Sequence, residues 1–293
     1  MYALFASSLS MGKVLVMHTS PIFLTGIRMF TAGIILLAYQ YFSPREQFIF
    51  KKKHLFDYAQ IIFFGNYLTY LLRFWGLRYI PSHKAAFLHN IAPFTTALYS
   101  YLIFGERLKI CQLLGLCVGF VGLTPILLTT TTQEQLTGTW LFISWQEFAI
   151  IASVFTSSYS WVLVRKMIHK KNYAPAMING ICMTMGGVLA FATSLFTTGS
   201  WYIREPGSFA LLLIAVIFIS NIICHNMYGY LLKTHTATFL SFASFLTPLF
   251  AALYGWALLD ETITWHFYAS TIIVFIGLYI FYQNELKNHK LIM

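Results

Sequence analysis

The sequence predicts an all-α polytopic membrane protein, ten transmembrane helices arranged as two inverted five-helix repeats. Three observations predict it. Of 293 residues, 58% are hydrophobic and only 10% charged, against about 25% charged in an average soluble domain. Apolar runs near the roughly 20 residues that cross a bilayer recur along the whole length. A motif also occurs twice: Phe87, Pro93, Ala97-Leu98-Tyr99, Glu106, Phe120 and Gly122-Leu123 return 155 positions later as Phe242, Pro248, Ala252-Leu253-Tyr254, Glu261, Phe275 and Gly277-Leu278. Five spans per copy is an odd number, so the second copy inserts upside down, the arrangement that underlies alternating access.

In chain order the runs predict helices at 2–17, 22–42, 57–77, 82–104, 110–128, 147–164, 174–196, 208–230, 237–258 and 265–282. The connections carry breakers: Ser20-Pro21, Ser43-Pro44, Pro81-Ser82, Gly105 and Pro206-Gly207. Pro93, Pro125 and Pro248 fall inside runs, where neighbouring helices can satisfy the carbonyls they free. The domains that follow are a first repeat at 1–128, an external connection at 129–146, a second repeat at 147–282 and a tail at 283–293. Met1 leads almost directly into the first run without a basic segment, so no cleavable signal peptide is expected. That run is short, which leaves open an upstream start or a short first helix.

Charge supplies the orientation. With ten spans, one side owns Arg45, Lys51, Lys52, Lys53, Arg107, Lys109, Arg165, Lys166, Lys170, Lys171, Lys233, Lys287 and Lys290, which is 13 of the 19 Lys and Arg residues. The positive-inside rule places that side, and both termini, in the cytoplasm, for an inner-membrane protein. The formal net charge of +10 is then explained by topology, and no nucleic-acid partner is expected. Cys111, Cys117, Cys182 and Cys224 all lie in apolar runs and read as small hydrophobes rather than disulfide or metal ligands. No metal and no cofactor are expected.

The pattern resembles the ten-span drug/metabolite transporters of the EamA type, over nearly the whole chain. The residues that carry the resemblance are Gly12-Lys13, Ser20-Pro21 and Arg28, then Ala85-Ala86, Pro93 and Ala97. They continue through Gly105-Glu106-Arg107-Leu108, Gln112, Gly115, Gly119 and Gly122, and in the second copy Ala237, Pro248, Ala252, Asp260-Glu261-Thr262-Ile263 and Gly277. One departure is visible: the family often has Trp-Gly eight residues before the helix 1 lysine, where this chain has Phe5-Ala6. The resemblance implies a central cavity lined by helices 1–4 and 6–9, with helices 5 and 10 as peripheral supports.

Ionisable groups inside a bilayer are costly and tend to face a cavity. Lys13, Arg28, Arg73, Arg78 and Lys84 gather at the outer end of the first repeat. Two readings stand: an electropositive vestibule for a carboxylate or phosphate, or side chains that snorkel to headgroups. Neutral polar groups sit deeper. Asn66, Tyr70 and Arg73 share one helix face at i, i+4, i+7, and Ser153, Ser157, Ser160 and Trp161 form a second stripe. His89-Asn90, and Asn221 with His225-Asn226, are two more. Each could be interhelical glue; together they describe a polar cavity. The candidate substrate-binding set is thus Lys13, Arg28, Asn66, Tyr70, Arg73, His89, Asn90, Ser157, Trp161, Asn221, His225 and Asn226. No carboxylate falls near the midplane, which leaves His89 or His225 for any proton coupling.

These features point to secondary transport of a small polar, zwitterionic metabolite, with the lipid bilayer as the other partner and a homodimer compatible. An intramembrane enzyme would need a metal motif, a nucleophile–base pair or paired acids, and none is present. A receptor or assembly factor would have no use for an inverted duplication. The resemblance leaves several substrates open: amino acids and derivatives, the S-adenosylmethionine/S-adenosylhomocysteine pair, drugs and nucleotide-sugars. Substrate choice is expected among residues that broke the repeat's symmetry.

Overall fold

Apolar stretches bounded by Pro and Gly breakers fold as helices in the computed structural model, which describes residues 1–42, 51–106, 109–122, 139–140, 143–196, 202–259 and 265–289. Among these the helices are α1 (Tyr2–His18), α2 (Pro21–Phe42), α3 (55–77), α4 (82–104), α5 (Ile110–Val121), α6 (Trp145–Lys171), α7 (Pro175–Ser194), α8 (Pro206–Leu231), α9 (237–259) and α10 (Trp265–His289). A two-residue antiparallel ladder, Thr139–Trp140 with Ile143–Ser144, precedes α6. The chain is an all-α membrane protein. By length and composition α2, α6, α7 and α8 are each apolar enough to cross a bilayer, and shorter apolar stretches lie in α5, α9 and α10. Arg45, Arg107, the Asp260-Glu261 turn, Lys290 and most of the expected 129–146 connection lie outside the described residues.

The duplicated motif is a duplicated structure. Helix α4 consists of Ser82–Leu88, a 3₁₀ turn at His89–Ile91 and Ala92–Phe104. Helix α9 repeats it 155 positions on, as Ala237–Ala243, Ser244–Leu246 and Thr247–Leu259. Proline explains both breaks. Pro93 and Pro248 lack the N–H that would bond the carbonyl four residues back. The chain tightens instead, and the backbone N–H of Ala92 takes the His89 carbonyl while that of Thr247 takes the Ser244 carbonyl. Helices α3 and α8 also match, each with a π-helical stretch at mid-length, Ile61–Leu68 and Ile217–Cys224. At the end of each stretch one residue donates twice to the carbonyl five positions back. Thr69 gives its N–H and its hydroxyl, at 2.6 Å, to Phe64. His225 gives its N–H and its Nδ1–H, at 2.7 Å, to Ser220.

Helix α6 is longer at both ends than the predicted 147–164. A capping box starts it at Trp145: Glu147 N–H donates to Ser144 Oγ at 3.3 Å, and Ser144 N–H to Glu147 Oε2 at 2.7 Å. Its far end stays helical past the apolar run because its cations are held by carboxylates outside it. Arg165 pairs with Glu106 at 2.8 Å, Lys166 with Asp57 at 3.1 Å, and Lys171 also with Asp57. Asn172, in the left-handed conformation at φ 54°, ends it.

The halves interleave rather than sit side by side. Helix α6 packs on α3 and α4, α1 on α8 and α9, α2 on α7, and α5 on α10. The α2–α7 contact is close enough to need glycine. A Cβ on Gly33 would meet the Thr184 backbone nitrogen at 2.4 Å, and one on Gly187 the Phe30 nitrogen at 2.5 Å. Small residues at such crossings let membrane helices gain packing energy that apolar side chains alone cannot supply in lipid.

Lys84 follows neither of the two readings offered for it, vestibule or snorkelling. Its ammonium lies 2.8 Å from Glu147 Oε1, and both side chains are buried, at 1% and 2% exposure. The pair ties the start of α4 to the first turn of α6. Arg78 is exposed.

Candidate substrate site

The central helices surround a cavity with about 1220 Å³ of empty space, counting the part open to solvent. Its lining comes from α1, α2, α3, α4, α6, α7, α8 and α9, the set that the family resemblance implied. Of the twelve candidate residues, eight line it: Arg28, Asn66, Tyr70, Arg73, His89, Ser157, Trp161 and His225. Four do not. Asn221 stands behind Arg28 and accepts from its Nε at 2.6 Å. Asn226 accepts from Asn179, itself a lining residue, at 3.2 Å. Asn90 is buried one position beyond His89, its amide unbonded among the described residues. Lys13, half-buried on α1, is outside the lining.

The two arginines differ in what they already hold. Arg28 is held by protein through two of its three nitrogens, Nε on Asn221 and Nη2 on Ser220 Oγ at 2.7 Å, with its guanidinium 5.1 Å from the Tyr70 ring centroid and 5.5 Å from that of Phe74. Arg73 lies 5.2 Å from the same Tyr70 centroid, and its Nε is buried with no hydrogen-bond partner among the described residues. The histidines differ likewise. His225 uses both nitrogens. Its Nδ1–H donates to the Ser220 carbonyl, so Nε2 is the acceptor and takes the Tyr70 hydroxyl proton at 2.7 Å. His89 has both nitrogens buried and neither bonded among the described residues.

Aromatic rings fill the cavity's other end. Trp161 lies 4.4 Å from Tyr228 and 5.5 Å from His225, centroid to centroid, and Phe5 meets His225 edge-on at 5.6 Å. Tyr2 lines the same end, its hydroxyl bonded to the Leu240 carbonyl. The ring contacts thus give an order: Arg73, then Tyr70 beside Arg28, then His225, then Trp161 and Phe5, then Tyr228.

Several lining residues were not singled out from sequence. Phe5 occupies the position at which related sequences often have a tryptophan, which was its signal. Ser244 is the counterpart of His89 at the 155-residue interval, and Tyr228 that of Arg73. Tyr2 and Asn179 carried no such mark. Not every deep polar residue breaks the repeat's symmetry: Asn66 and Asn221 are identical at that interval, whereas Tyr70 and His225, also 155 apart, differ.

Comparison with known proteins agrees with this architecture. One solved structure superposes with a TM-score of 0.73 over 95% of this chain and 93% of its own, at 17% identity, and so shares the fold. The S-adenosylmethionine/S-adenosylhomocysteine transporter of Chlamydia muridarum is 33% identical over 263 residues, covering 88% of this chain and 82% of that protein. Its counterpart from Chlamydia trachomatis serovar L2 is 32% identical over 88% and 80%. A probable amino-acid metabolite efflux pump of Salmonella typhimurium is 24% identical over 92% and 87%. The EamA-like transporter family profile matches residues 2–128 and 144–283; the chain therefore belongs to the EamA-like transporter family, multi-pass membrane proteins that move small-molecule metabolites and are not enzymes.

Proposed function

We propose that this protein exchanges S-adenosylmethionine for S-adenosylhomocysteine across the inner membrane by alternating access, through the cavity bounded by Arg73 and Trp161. The observation that carries this reading is the cavity's composition. It joins an arginine and a histidine with unspent polar atoms to a run of aromatic faces, the two chemistries that an amino-acid group and an adenosyl ring require. The similarity to the chlamydial transporters supports the substrate class. Ten spans in two inverted repeats, with both termini in the cytoplasm, complete the reading. The matching breaks in α4 and α9 and the matching π-helical stretches in α3 and α8 support the repeat, and the distribution of lysine and arginine supports the orientation.

The test is counterflow. Purified protein in liposomes preloaded with unlabelled S-adenosylhomocysteine should take up radiolabelled S-adenosylmethionine well above empty liposomes, and faster than protein-containing liposomes loaded with buffer. Uptake equal to that of empty liposomes would overturn the substrate, and uptake indifferent to the internal load would overturn exchange. Reporter fusions at both termini should be active only on the cytoplasmic side.

A further inference from the structure

Resting on the substrate reading above, we infer that the cavity holds its substrate in one orientation, carboxylate on Arg73 and His89, sulfur and purine against Trp161 and Tyr228, and that it senses the charge on sulfur only weakly.

The orientation follows from which groups are committed. Arg28 cannot turn to a ligand without giving up Asn221 and Ser220. Arg73 makes no hydrogen bond or ion pair among the described residues, and only the Tyr70 face attends its charge. Arg73 is half-buried, with its Nε out of water and unbonded among the described residues, and a substrate carboxylate would supply that donor with a charge-assisted bond. His89 fits beside it. A neutral imidazole offers one donor and one acceptor, which match the carboxylate and the α-ammonium of an amino acid. Among the described lining residues the opposite end carries no Lys or Arg: Trp161, Tyr228, Phe5 and Tyr2 present π faces, with Asn179 as the amide among them. Repeat symmetry sharpens the contrast, since Tyr228 stands where the second copy would have its Arg73, and Ser244 where it would have its His89. The two ends occupy matching places in the fold and carry opposite chemistry.

Weak sensing of sulfur charge follows from what the lining lacks. Among the described residues no Asp or Glu borders the cavity. A sulfonium therefore meets only ring faces and neutral oxygens. A cation–π contact favours the charged form by a factor of about 10, far less than a buried carboxylate would. S-adenosylmethionine and its thioether product should thus compete for one site on similar terms, as one-for-one exchange requires.

Competition against labelled S-adenosylmethionine uptake in liposomes tests both parts on the wild-type protein. S-adenosylhomocysteine should inhibit within about tenfold of S-adenosylmethionine itself. Decarboxylated S-adenosylmethionine, which keeps the ring and sulfonium, should be weaker on the order of 100-fold, as for loss of one partner of a buried charge pair. In Arg73→Gln, direct binding of S-adenosylmethionine should fall to the level of the decarboxylated compound, whose own affinity stays near the wild-type value and reports an intact fold. Arg73→Lys should recover part of the difference. Equal inhibition by the decarboxylated compound in the wild type, or equal weakening of both ligands in Arg73→Gln, would overturn the orientation. A gap above 100-fold between S-adenosylmethionine and S-adenosylhomocysteine would overturn the weak sensing of charge. Absence of any wild-type uptake of S-adenosylmethionine overturns the functional reading, and this inference with it.

Discussion

Tyr70 donates its hydroxyl to Nε2 of His225 at 2.7 Å, and the two residues are separated by 155 positions, the interval of the sequence repeat. Both residues line the cavity, and the lining residues three positions further on, Arg73 and Tyr228, likewise stand 155 apart. Tyr70→Phe removes the donor and leaves a buried imidazole acceptor unbonded, a cost of about 1–3 kcal/mol. The variant should unfold at lower temperature in detergent and transport more slowly. An unchanged melting temperature would show that the bond contributes nothing.

The Lys84–Glu147 pair predicts a non-additive mutant cycle. Lys84→Met leaves Glu147 buried without its cation, at a cost of about 3–5 kcal/mol. Glu147→Gln keeps an oxygen for the Ser144 N–H but removes the charge. The double variant should be closer to wild type in stability than Lys84→Met alone, because replacing both charges leaves none uncompensated. Fluorescence-detected thermal melting of the three proteins reads this directly; a double variant as unstable as the sum of the singles would refute it.

Pro93→Ala should separate stability from transport. The new N–H at position 93 can bond the His89 carbonyl, which restores a regular turn and adds about 0.5–1.5 kcal/mol. The 3₁₀ turn that now carries His89 at the cavity wall would relax. We expect unfolding temperature unchanged or raised and the initial rate of uptake reduced severalfold. Retention of the full rate would show that the break serves folding alone.

Gly187→Ala introduces a methyl group 2.5 Å from a backbone nitrogen of the facing helix, so α2 and α7 must part. Overpacking of this kind costs about 1–3 kcal/mol. Gly207→Ala, where no atom lies within 4 Å of the added carbon, is the control and should be neutral. A comparison of the two melting curves checks the contact.

Helix positions were legible because apolar run length and Pro or Gly breakers dominate membrane sequences. Pro93 and Pro248 marked where carbonyls are freed, but not that a 3₁₀ turn of the same helix, rather than a neighbouring helix, would take them up. The π-helical stretches were not legible, since Ile61–Leu68 and Ile217–Cys224 read as ordinary apolar helix; what stabilises them includes Thr69 and His225 side chains bonding back five residues. The extra turns of α6 past residue 164 were hidden because Arg165, Lys166 and Lys171 look like the end of a span until Glu106 and Asp57 are seen against them. At the candidate site, polar stripes pointed to helix faces that line the cavity. They could not distinguish Arg28, occupied by Ser220 and Asn221, from Arg73, because that difference depends on contacts nearly 200 positions away in the chain. Lys84 failed for the same reason: its partner is on another helix.

That last pair bears on how the protein is made. Lys84 is synthesised 63 residues before Glu147, an interval of roughly 3–13 s at 5–20 residues per second. During that time Lys84 lacks the Glu147 carboxylate, which favours lingering at the insertion machinery or at the lipid surface over final packing. Neither half is then a finished folding unit, and the order of synthesis makes the beginning of α6 the event that lets α4 settle.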